Sequence, residues 1–226
     1  MIVIELKDIE KIYVSGKYRV KALRGIDLQI SKGEFTAVVG PSGSGKTTLL
    51  NIMGCIDLPT RGSVTLHGEE LQTKKPEELA LLRRNYFGFI FQSFNLIPVL
   101  TVYENVEIAL KLRYKNLQKK EREKRILSIL EAVGLSDKWN MKPLELSGGE
   151  QQRVSIARAL VKDPEFVLAD EPTANLDSET GKSIVELMRK LNAEKGVTFV
   201  FSTHDPLIVE HAKRIIKLRD GKIVGE

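Results

Sequence analysis

A glycine-rich stretch, GPSGSGKTT at residues 40–48, strongly constrains the fold of this chain. It follows the apolar run TAVV and leads into TTLLNIMG, which has a helix-forming composition. Glycines let the backbone curl so that its N–H groups point inward, and a helix that begins there adds the positive end of its dipole. The stretch fits G-x-x-x-x-G-K-[ST], a pattern in which the backbone, the lysine and the hydroxyl bind phosphates and Mg²⁺. The sequence therefore predicts a phosphate-binding loop between a strand and a helix.

The sequence contains four apolar runs in which polar residues do not alternate with apolar ones: TAVV, FGFIF, FVLA and VTFVFST. Each run ends at a polar residue or a polar loop. Runs of this kind are typical of strands buried on both faces of a parallel sheet. They end respectively at the glycine-rich loop, Gln92, the pair Asp170–Glu171, and His204. Because ligands bind at the carboxyl ends of strands in open α/β sheets, these features should meet at one edge. There, Asp170 would hold Mg²⁺ and Glu171 would orient or deprotonate a water molecule.

The segments that flank this core have other patterns. In IVIEL, the alternate positions Ile2, Ile4 and Leu6 would share one face of a strand. GIDLQI and GSVTLHG also read as short strands, so a small antiparallel sheet is expected near the N-terminus. The pair Asp220–Gly221 predicts a hairpin near the end of the chain.

Residues 93–147 are predicted to be a helical insertion between two strands of the core. In REKRILSILEAVGL, the apolar side chains follow helical spacing and Gly134 stands where a helix would end. The residues expected to share the apolar face are Ile126, Leu127, Leu130 and Val133.

A second glycine-rich turn, LSGGEQQRVSIARAL, begins at residue 146. The Ser147 hydroxyl can cap the following helix, and Gly148 and Gly149 allow close backbone approach, so the turn could bind an anion. The same pattern also fits an ordinary capped amphipathic helix with apolar residues turned inward. Spacing alone leaves both interpretations open.

Composition excludes some classes of protein and leaves others. The chain is 42% hydrophobic and 29% charged, which favours a folded domain over disorder. It has no apolar run long enough to span a bilayer, and its start lacks the pattern of a secretory signal, so the cytoplasm is expected. Its one cysteine, Cys55, excludes an internal disulfide and is expected to be a buried side chain. The net charge of +5 leaves lipid, nucleic acid and nucleotide open as partners.

The order of these motifs resembles that of ATP-binding cassette (ABC) ATPases, and the resemblance covers nearly the whole chain. It implies a P-loop NTPase (RecA-like) α/β fold: one domain, 1–226, with a core of 1–92 and 148–226 that includes the β-subdomain, and a helical subdomain of 93–147. The motif residues so implied are the Walker A loop (Gly40, Pro41, Ser42, Gly43, Ser44, Gly45, Lys46, Thr47, Thr48), the signature (Ser147, Gly148, Gly149, Glu150) and Walker B (Asp170, Glu171).

Other positions match by the same resemblance. Tyr13 would stack on adenine, and Gln92 would sense Mg²⁺ and the partner. Asp177 ends ANLD, which resembles the D-loop, and His204 resembles the histidine that contacts the γ-phosphate. The resemblance thus implies ATP and Mg²⁺ as cofactors, the metal being held by Thr47, Gln92 and Asp170. The implied catalytic residues are Glu171, His204 and Lys46.

In this family the signature of one subunit completes the nucleotide site of another, which implies an ATP-dependent homodimer. The resemblance further implies a membrane permease docked at the helical subdomain, with the chain held at the inner face of the membrane. Residues 92–110 resemble the branch that serves lipoprotein-release and macrolide-export (MacB-type) permeases. Two alternatives remain: a soluble ABC ATPase acting on nucleic acid or ribosomes, and an ATP clamp that regulates an extracytoplasmic hydrolase. The absence of a long coiled coil, a second cassette and a cysteine cluster argues against the first, so no nucleic acid is expected.

Overall fold

The computed structural model describes residues 2–226, which form ten strands and seven α-helices. The strands are β1 (Ile2–Ser15), β2 (Tyr18–Ser31), β3 (Phe35–Val39), β4 (Arg61–Leu66), β5 (Glu69–Glu70), β6 (Phe87–Ile90), β7 (Phe166–Asp170), β8 (Thr198–Thr203), β9 (Arg214–Arg219) and β10 (Lys222–Gly225). The helices are α1 (Lys46–Met53), α2 (Pro76–Tyr86), α3 (Val102–Arg113), α4 (Lys119–Ala132), α5 (Gly148–Leu160), α6 (Ser178–Lys195) and α7 (Pro206–His211), with a 3-10 turn at Pro143–Glu145.

The larger sheet has the strand order β10-β9-β3-β8-β7-β6, and all its neighbours except β10 and β9 pair in parallel. Its central strands are covered on both sides, which explains their unbroken apolar runs. Leu168 and Val200 face a core that includes α1 and α2, whereas Val167 and Phe201 face a second core built with α3 to α6. The predicted α/β class is confirmed.

The smaller sheet is antiparallel, with the order β2-β1-β4-β5. Ile4 and Leu6 are buried as the alternation predicts, but the expectation for Ile2 is wrong, because that residue is 49% exposed. The pairing of β1 with β2 shifts register between Ile2 and Ile4, and Val3 is buried instead. A bulge of this kind changes which face a side chain occupies, and simple alternation does not reveal it.

Residues between β6 and β7 supply α3, α4 and α5. In α4 and the residue after it, the buried side chains are Ile126, Ile129, Leu130 and Val133, whereas Leu127 is 49% exposed. The prediction for Leu127 is wrong, because the positions i, i+3, i+4 and i+7 from Ile126 form the buried face and Leu127 lies about 100° away from Ile126.

Two local predictions are confirmed. Asp220 and Gly221 both have positive φ, 49° and 76°, as a two-residue hairpin between β9 and β10 requires. Cys55 is buried, and burial raises the pKa of its thiol to about 12, so the thiolate that reacts is absent at neutral pH.

The fold brings four loops to one edge of the larger sheet. Strands β3, β6, β7 and β8 run parallel, so their carboxyl ends share an edge. The residues that follow or end them are Gly40, Gln92, Asp170 with Glu171, and His204.

Candidate functional site

The loop of residues 40–48 connects β3 to α1, as predicted, and curls at the N-terminus of that helix. Gly45, the residue before α1, has φ 105°, and a Cβ built there would lie 2.6 Å from the Ala22 carbonyl oxygen. A side chain at this position would therefore meet both backbone strain and a steric clash. The closeness of β2 keeps the loop tight, and the loop borders a single space.

That space is a cavity of about 570 Å³ lined by Gly43, Gly45, Lys46, Thr47 and Thr48, together with residues of β1 and β2 and of the β9–β10 turn. The Lys46 ammonium donates hydrogen bonds to the carbonyls of Gly40 at 2.8 Å and Pro41 at 3.2 Å, which hold its charge within the loop.

The charge of the cavity wall fits a nucleotide triphosphate. Lys21 and Arg24, both on β2, add positive charge to this wall beside Lys46. A concentration of positive charge in a cleft attracts a polyanionic ligand.

Oxygen ligands for a metal ion meet beside the loop. The Thr47 hydroxyl lies 3.1 and 3.0 Å from the two carboxylate oxygens of Asp170, at the end of β7. Residues 2–226 contain no cluster of three or more His, Cys, Asp or Glu that could bind a metal. One carboxylate and one hydroxyl nevertheless suit Mg²⁺, which takes few protein ligands and completes its shell with phosphates and water.

Glu171 and His204 form a second pair at the same edge. His204 Nδ1 lies 2.8 Å from one Glu171 carboxylate oxygen, and the His204 backbone N–H lies 3.4 Å from the other. Glu171 has φ 45°, a conformation that costs a non-glycine residue free energy, and its backbone N–H donates to Ser202 at 2.8 Å. The Glu171 carboxylate is thus held in one orientation and is largely buried, while the His204 side chain is 74% exposed.

Gln92 lies on an exposed loop after β6, and two neighbouring elements hold this loop in place. The Asn175 side-chain amide donates to the Gln92 carbonyl at 2.8 Å. Arg158, on α5, donates to the carbonyls of Phe94 and Asn95, the first at 2.6 Å. Phe94 and Asn95 both have positive φ, so Arg158 stabilises a strained turn.

The second glycine-rich turn begins α5, as predicted, and Ser147 is its N-cap. The Glu150 carboxylate accepts a 2.8 Å hydrogen bond from the Ser147 N–H and pairs with Lys138. The Lys138 ammonium and the Ser147 N–H hold the pKa of Glu150 below its usual range. Gly149 packs so closely on α6 that a Cβ there would lie 2.4 Å from the Thr180 methyl carbon.

The structure does not bring the two glycine-rich turns together. None of the described residues of the second turn lines the cavity at the first. Gly148 lies near Asn175 and Leu176 instead, and Asp177 caps α6 by accepting a 3.0 Å hydrogen bond from the Thr180 N–H. One chain therefore carries two separate glycine-rich turns, each at the N-terminus of a helix.

Tyr13, on β1, lies on the wall of the 570 Å³ cavity, where its ring is available to a ligand. Three residues around the site were missed by sequence reasoning: Arg158, Asn175 and Asp57, which accepts a hydrogen bond from the Tyr13 hydroxyl. The first two act on backbone carbonyls and the third on a distant side chain, so no local pattern signals them. No helix in the described part of the chain is long and apolar enough to cross a membrane.

Several known proteins are similar to this chain. A family model described as ABC transporter matches residues 23–174. An uncharacterized ABC transporter ATP-binding protein of Thermotoga maritima is 50% identical over 99% of this chain and 94% of its own length. The macrolide export ATP-binding/permease protein MacB of Neisseria gonorrhoeae is 48% identical over 100% of this chain, which spans 35% of MacB.

A solved structure is similar over nearly the same extent. It is the dimeric, post-hydrolysis state of the ATP-binding cassette MJ0796, from Methanocaldococcus jannaschii, bound to ADP and Pi. The TM-score is 0.91 at 46% identity, and the match covers 98% of this chain and 97% of that one. With the phosphate-binding loop and the Glu171–His204 pair in place, the chain belongs to the ABC transporter family, as an ATP-hydrolysing subunit.

Proposed function

We propose that two copies of this chain enclose two Mg-ATP between them, each copy supplying the phosphate-binding loop of one site and the Ser147–Glu150 turn of the other. The observation that carries this proposal is the separation of the two turns within one chain, because a nucleotide bound at the first turn would have no contact with the second turn of the same chain. A two-fold dimer would complete both sites at once. The dimeric state of the ADP-bound cassette MJ0796 supports this arrangement.

Within each site we assign roles from position. Gly40–Thr48 would bind the phosphates, with Lys46 on the outer ones, while Tyr13 would stack on adenine. Thr47, Asp170 and Gln92 would hold Mg²⁺, which neutralises charge on the phosphates as they react. Asp177 would approach the nucleotide of the partner from the start of α6.

The hydrolytic step needs a base and an orienting group. Glu171 would take a proton from water as the water oxygen bonds to the γ-phosphorus and the bond to the β–γ bridging oxygen breaks, releasing ADP. His204 holds the Glu171 carboxylate in the structure and would contact the γ-phosphate. The loss of the γ-phosphate would remove contacts that join the subunits, and they would separate.

Replacing Lys46 by alanine should weaken Mg-ATP binding by about 10- to 100-fold, because charge-assisted hydrogen bonds to the outer phosphates are lost. Hydrolysis at limiting ATP should fall with it. Titration calorimetry measures the first effect and phosphate release the second. Lys190→Ala is the control, since Lys190 is 66% exposed and only loosely paired with Glu194 at 3.9 Å. Unchanged ATP affinity in Lys46→Ala would remove this residue from its proposed role.

Hydrolysis serves transport only through a partner, and we propose a permease of the MacB type at the inner face of the cell membrane. A groove of about 490 Å³ lies between α2 of the core and α3 of the helical insertion. Its apolar lining includes Leu81, Phe89 and Leu112, of which Leu112 is 60% exposed. The charged residues in the lining are all basic: Arg83, Arg84 and Lys162.

Burial is the main cause that lowers the pKa of Lys162 to about 8, and the nearby Arg113 acts in the same direction. A carboxylate partner would therefore stabilise the charged ammonium of Lys162. An amphipathic cytoplasmic helix that carries an acidic residue would complement the groove in shape and charge. The likeness to MacB, in which an ATP-binding part and a permease belong to one protein, supports this kind of partner.

Placing aspartate at Leu112 should reduce recovery of the permease on affinity purification from solubilised native membranes by about tenfold, the effect expected of a central interface residue. Leu127→Asp is the matched control, because Leu127 is 49% exposed on α4 and does not line the groove. Recovery of ribosomes or RNA in place of a membrane protein would contradict the transport proposal. A partner that is an extracytoplasmic hydrolase regulator would favour the ATP clamp.

A further inference from the structure

Asp57 lies in the turn after α1 and collects three hydrogen bonds. The Lys11 ammonium donates to one carboxylate oxygen at 2.6 Å, and the Tyr13 hydroxyl donates to the other at 2.9 Å. The backbone N–H of Leu58 adds a third bond at 2.8 Å. The Leu58 carbonyl in turn accepts from Lys11 at 2.7 Å, so Asp57 and Lys11 are held by two connections.

The charges of this cluster are consistent with its hydrogen bonds. Burial alone would raise the pKa of Asp57, but the bonds from Lys11 and Tyr13 outweigh burial and hold the pKa below its usual value. Burial raises the pKa of Tyr13, so its hydroxyl keeps the proton that it donates. A bond from a neutral phenol to a carboxylate is charge-assisted and therefore strong for an exposed site.

Lys11 also contacts the Tyr13 ring itself. The Lys11 ammonium lies 5.0 Å from the ring centroid, within the range of a cation–π contact. Tyr13 lines the nucleotide cavity and Lys11 does not. Lys11 therefore restrains the ring without itself lining the cavity.

The turn that carries Asp57 is anchored to the helix of the phosphate-binding loop. The backbone N–H groups of Ile56 and Asp57 donate to the Asn51 carbonyl, at 2.9 and 3.2 Å, in the last turn of α1. The same region holds β1 directly, because Thr60 accepts from the Ile12 N–H at 3.0 Å. The groups that bind phosphate and the ring that would bind the base are therefore tied to one short helix.

We propose that Asp57, with Lys11, is a positioning residue for the base platform: it fixes the Tyr13 ring in the orientation against which the nucleotide base stacks. This inference rests on the proposed role of Tyr13. The Asp57 side chain bonds Lys11, Tyr13 and the Leu58 N–H and no residue of the phosphate-binding loop. Removing this side chain should therefore lower affinity for the base portion of the nucleotide and leave affinity for the phosphates nearly unchanged.

The test compares two ligands on the full-length chain, Mg-ATP and inorganic Mg-tripolyphosphate, which lacks a base. Asp57→Ala should weaken ATP binding by about tenfold, within the range that base–aromatic stacking supplies. Tripolyphosphate affinity should stay within about twofold, and kcat at saturating ATP should be unchanged while KM rises. Asp57→Asn should recover part of the affinity, because its amide oxygen still accepts from Tyr13.

Two further variants distinguish the positioning role of Asp57 from the base-stacking role of Tyr13 on which it rests. Tyr13→Phe should weaken ATP as Asp57→Ala does, and the double variant should lose little more, since both changes remove the same bond. Glu121→Ala, which removes a surface carboxylate paired with Arg125 at 2.9 Å, is the control and should change neither affinity.

Three outcomes would contradict the proposals. Equal loss of ATP and tripolyphosphate affinity in Asp57→Ala would give Asp57 a structural role at the loop, and unchanged ATP affinity in that variant would also overturn the inference. If Tyr13→Ala leaves ATP affinity unchanged, the base-platform role of Tyr13 fails instead.

Discussion

Replacing Glu171 by glutamine is expected to reduce ATP hydrolysis by about 100- to 10,000-fold, because the amide cannot accept a proton from the attacking water. Glutamine has nearly the same shape and can keep the contact with His204, so ATP should remain bound. With the γ-phosphate in place, a dimer should accumulate in Mg-ATP. Phosphate release measures the first effect, and light scattering measures subunit mass for the second.

The matched control for this variant is Glu165→Gln. Glu165 also pairs with a histidine, His67 at 2.9 Å, and directly precedes β7, at the opposite end of the strand from Glu171. This change should leave hydrolysis near the parental rate. Parental activity in Glu171→Gln would contradict its role as the base. A strictly monomeric Glu171→Gln in Mg-ATP at high micromolar protein concentration would contradict the dimer.

Arginine at Ser147 is expected to abolish hydrolysis while leaving ATP binding to the monomer unchanged. Ser147 is exposed at the start of α5, and a long side chain there would keep the turn from approaching the phosphates of a partner subunit. Loss of the helix cap alone costs only about 1 kcal/mol, so the effect on activity should greatly exceed the effect on stability. Nucleotide titration, phosphate release and subunit mass together check this expectation.

Thr101→Arg provides the matched control. Thr101 caps α3 through the same reciprocal bonds, with Glu104 in the place that Glu150 takes in α5. This variant should lose a similar amount of stability and keep its ATPase activity. Equal loss of activity in both variants would mean that capping, and not the contact with a second copy, explains the result.

Mixing two inactive variants extends the test. Ser147→Arg keeps an intact phosphate-binding loop, and Lys46→Ala keeps an intact Ser147–Glu150 turn. A mixed dimer would contain one site built from the two intact halves, and activity should return on mixing. A site contained within a single chain would give no recovery.

Much of the site could be predicted because its signals are local in the sequence. The loop of residues 40–48 depends on glycines and a lysine that are adjacent in the chain, and strand ends are marked where apolar runs stop. Parallel pairing then places Asp170 beside Thr47, 123 residues away, without any pattern that links them directly. The roles assigned to these residues stay predictions until the variants are measured.

Other features depend on distant contacts or on backbone geometry that no spacing reveals. The bulge that exposes Ile2 arises from the register between β1 and β2. Leu127 is apolar and close to the buried face of α4, but its direction on the helix leaves it exposed. Arg158 donates to backbone carbonyls, and Asp57 accepts from the Tyr13 hydroxyl. Each of these partners is distant in the sequence and comes close only in the folded chain.

Helix α5 connects two regions to which a function is proposed: the Ser147–Glu150 turn and the loop of Gln92. Ser147 caps its N-terminus, and Arg158 near its other end donates a hydrogen bond to a carbonyl in the turn that follows Gln92. Thirteen residues of helix extend about 20 Å and bend little, so movement at one end is carried to the other. In a dimer, the departure of phosphate from one active site would thereby shift the loop that carries the glutamine of the other site.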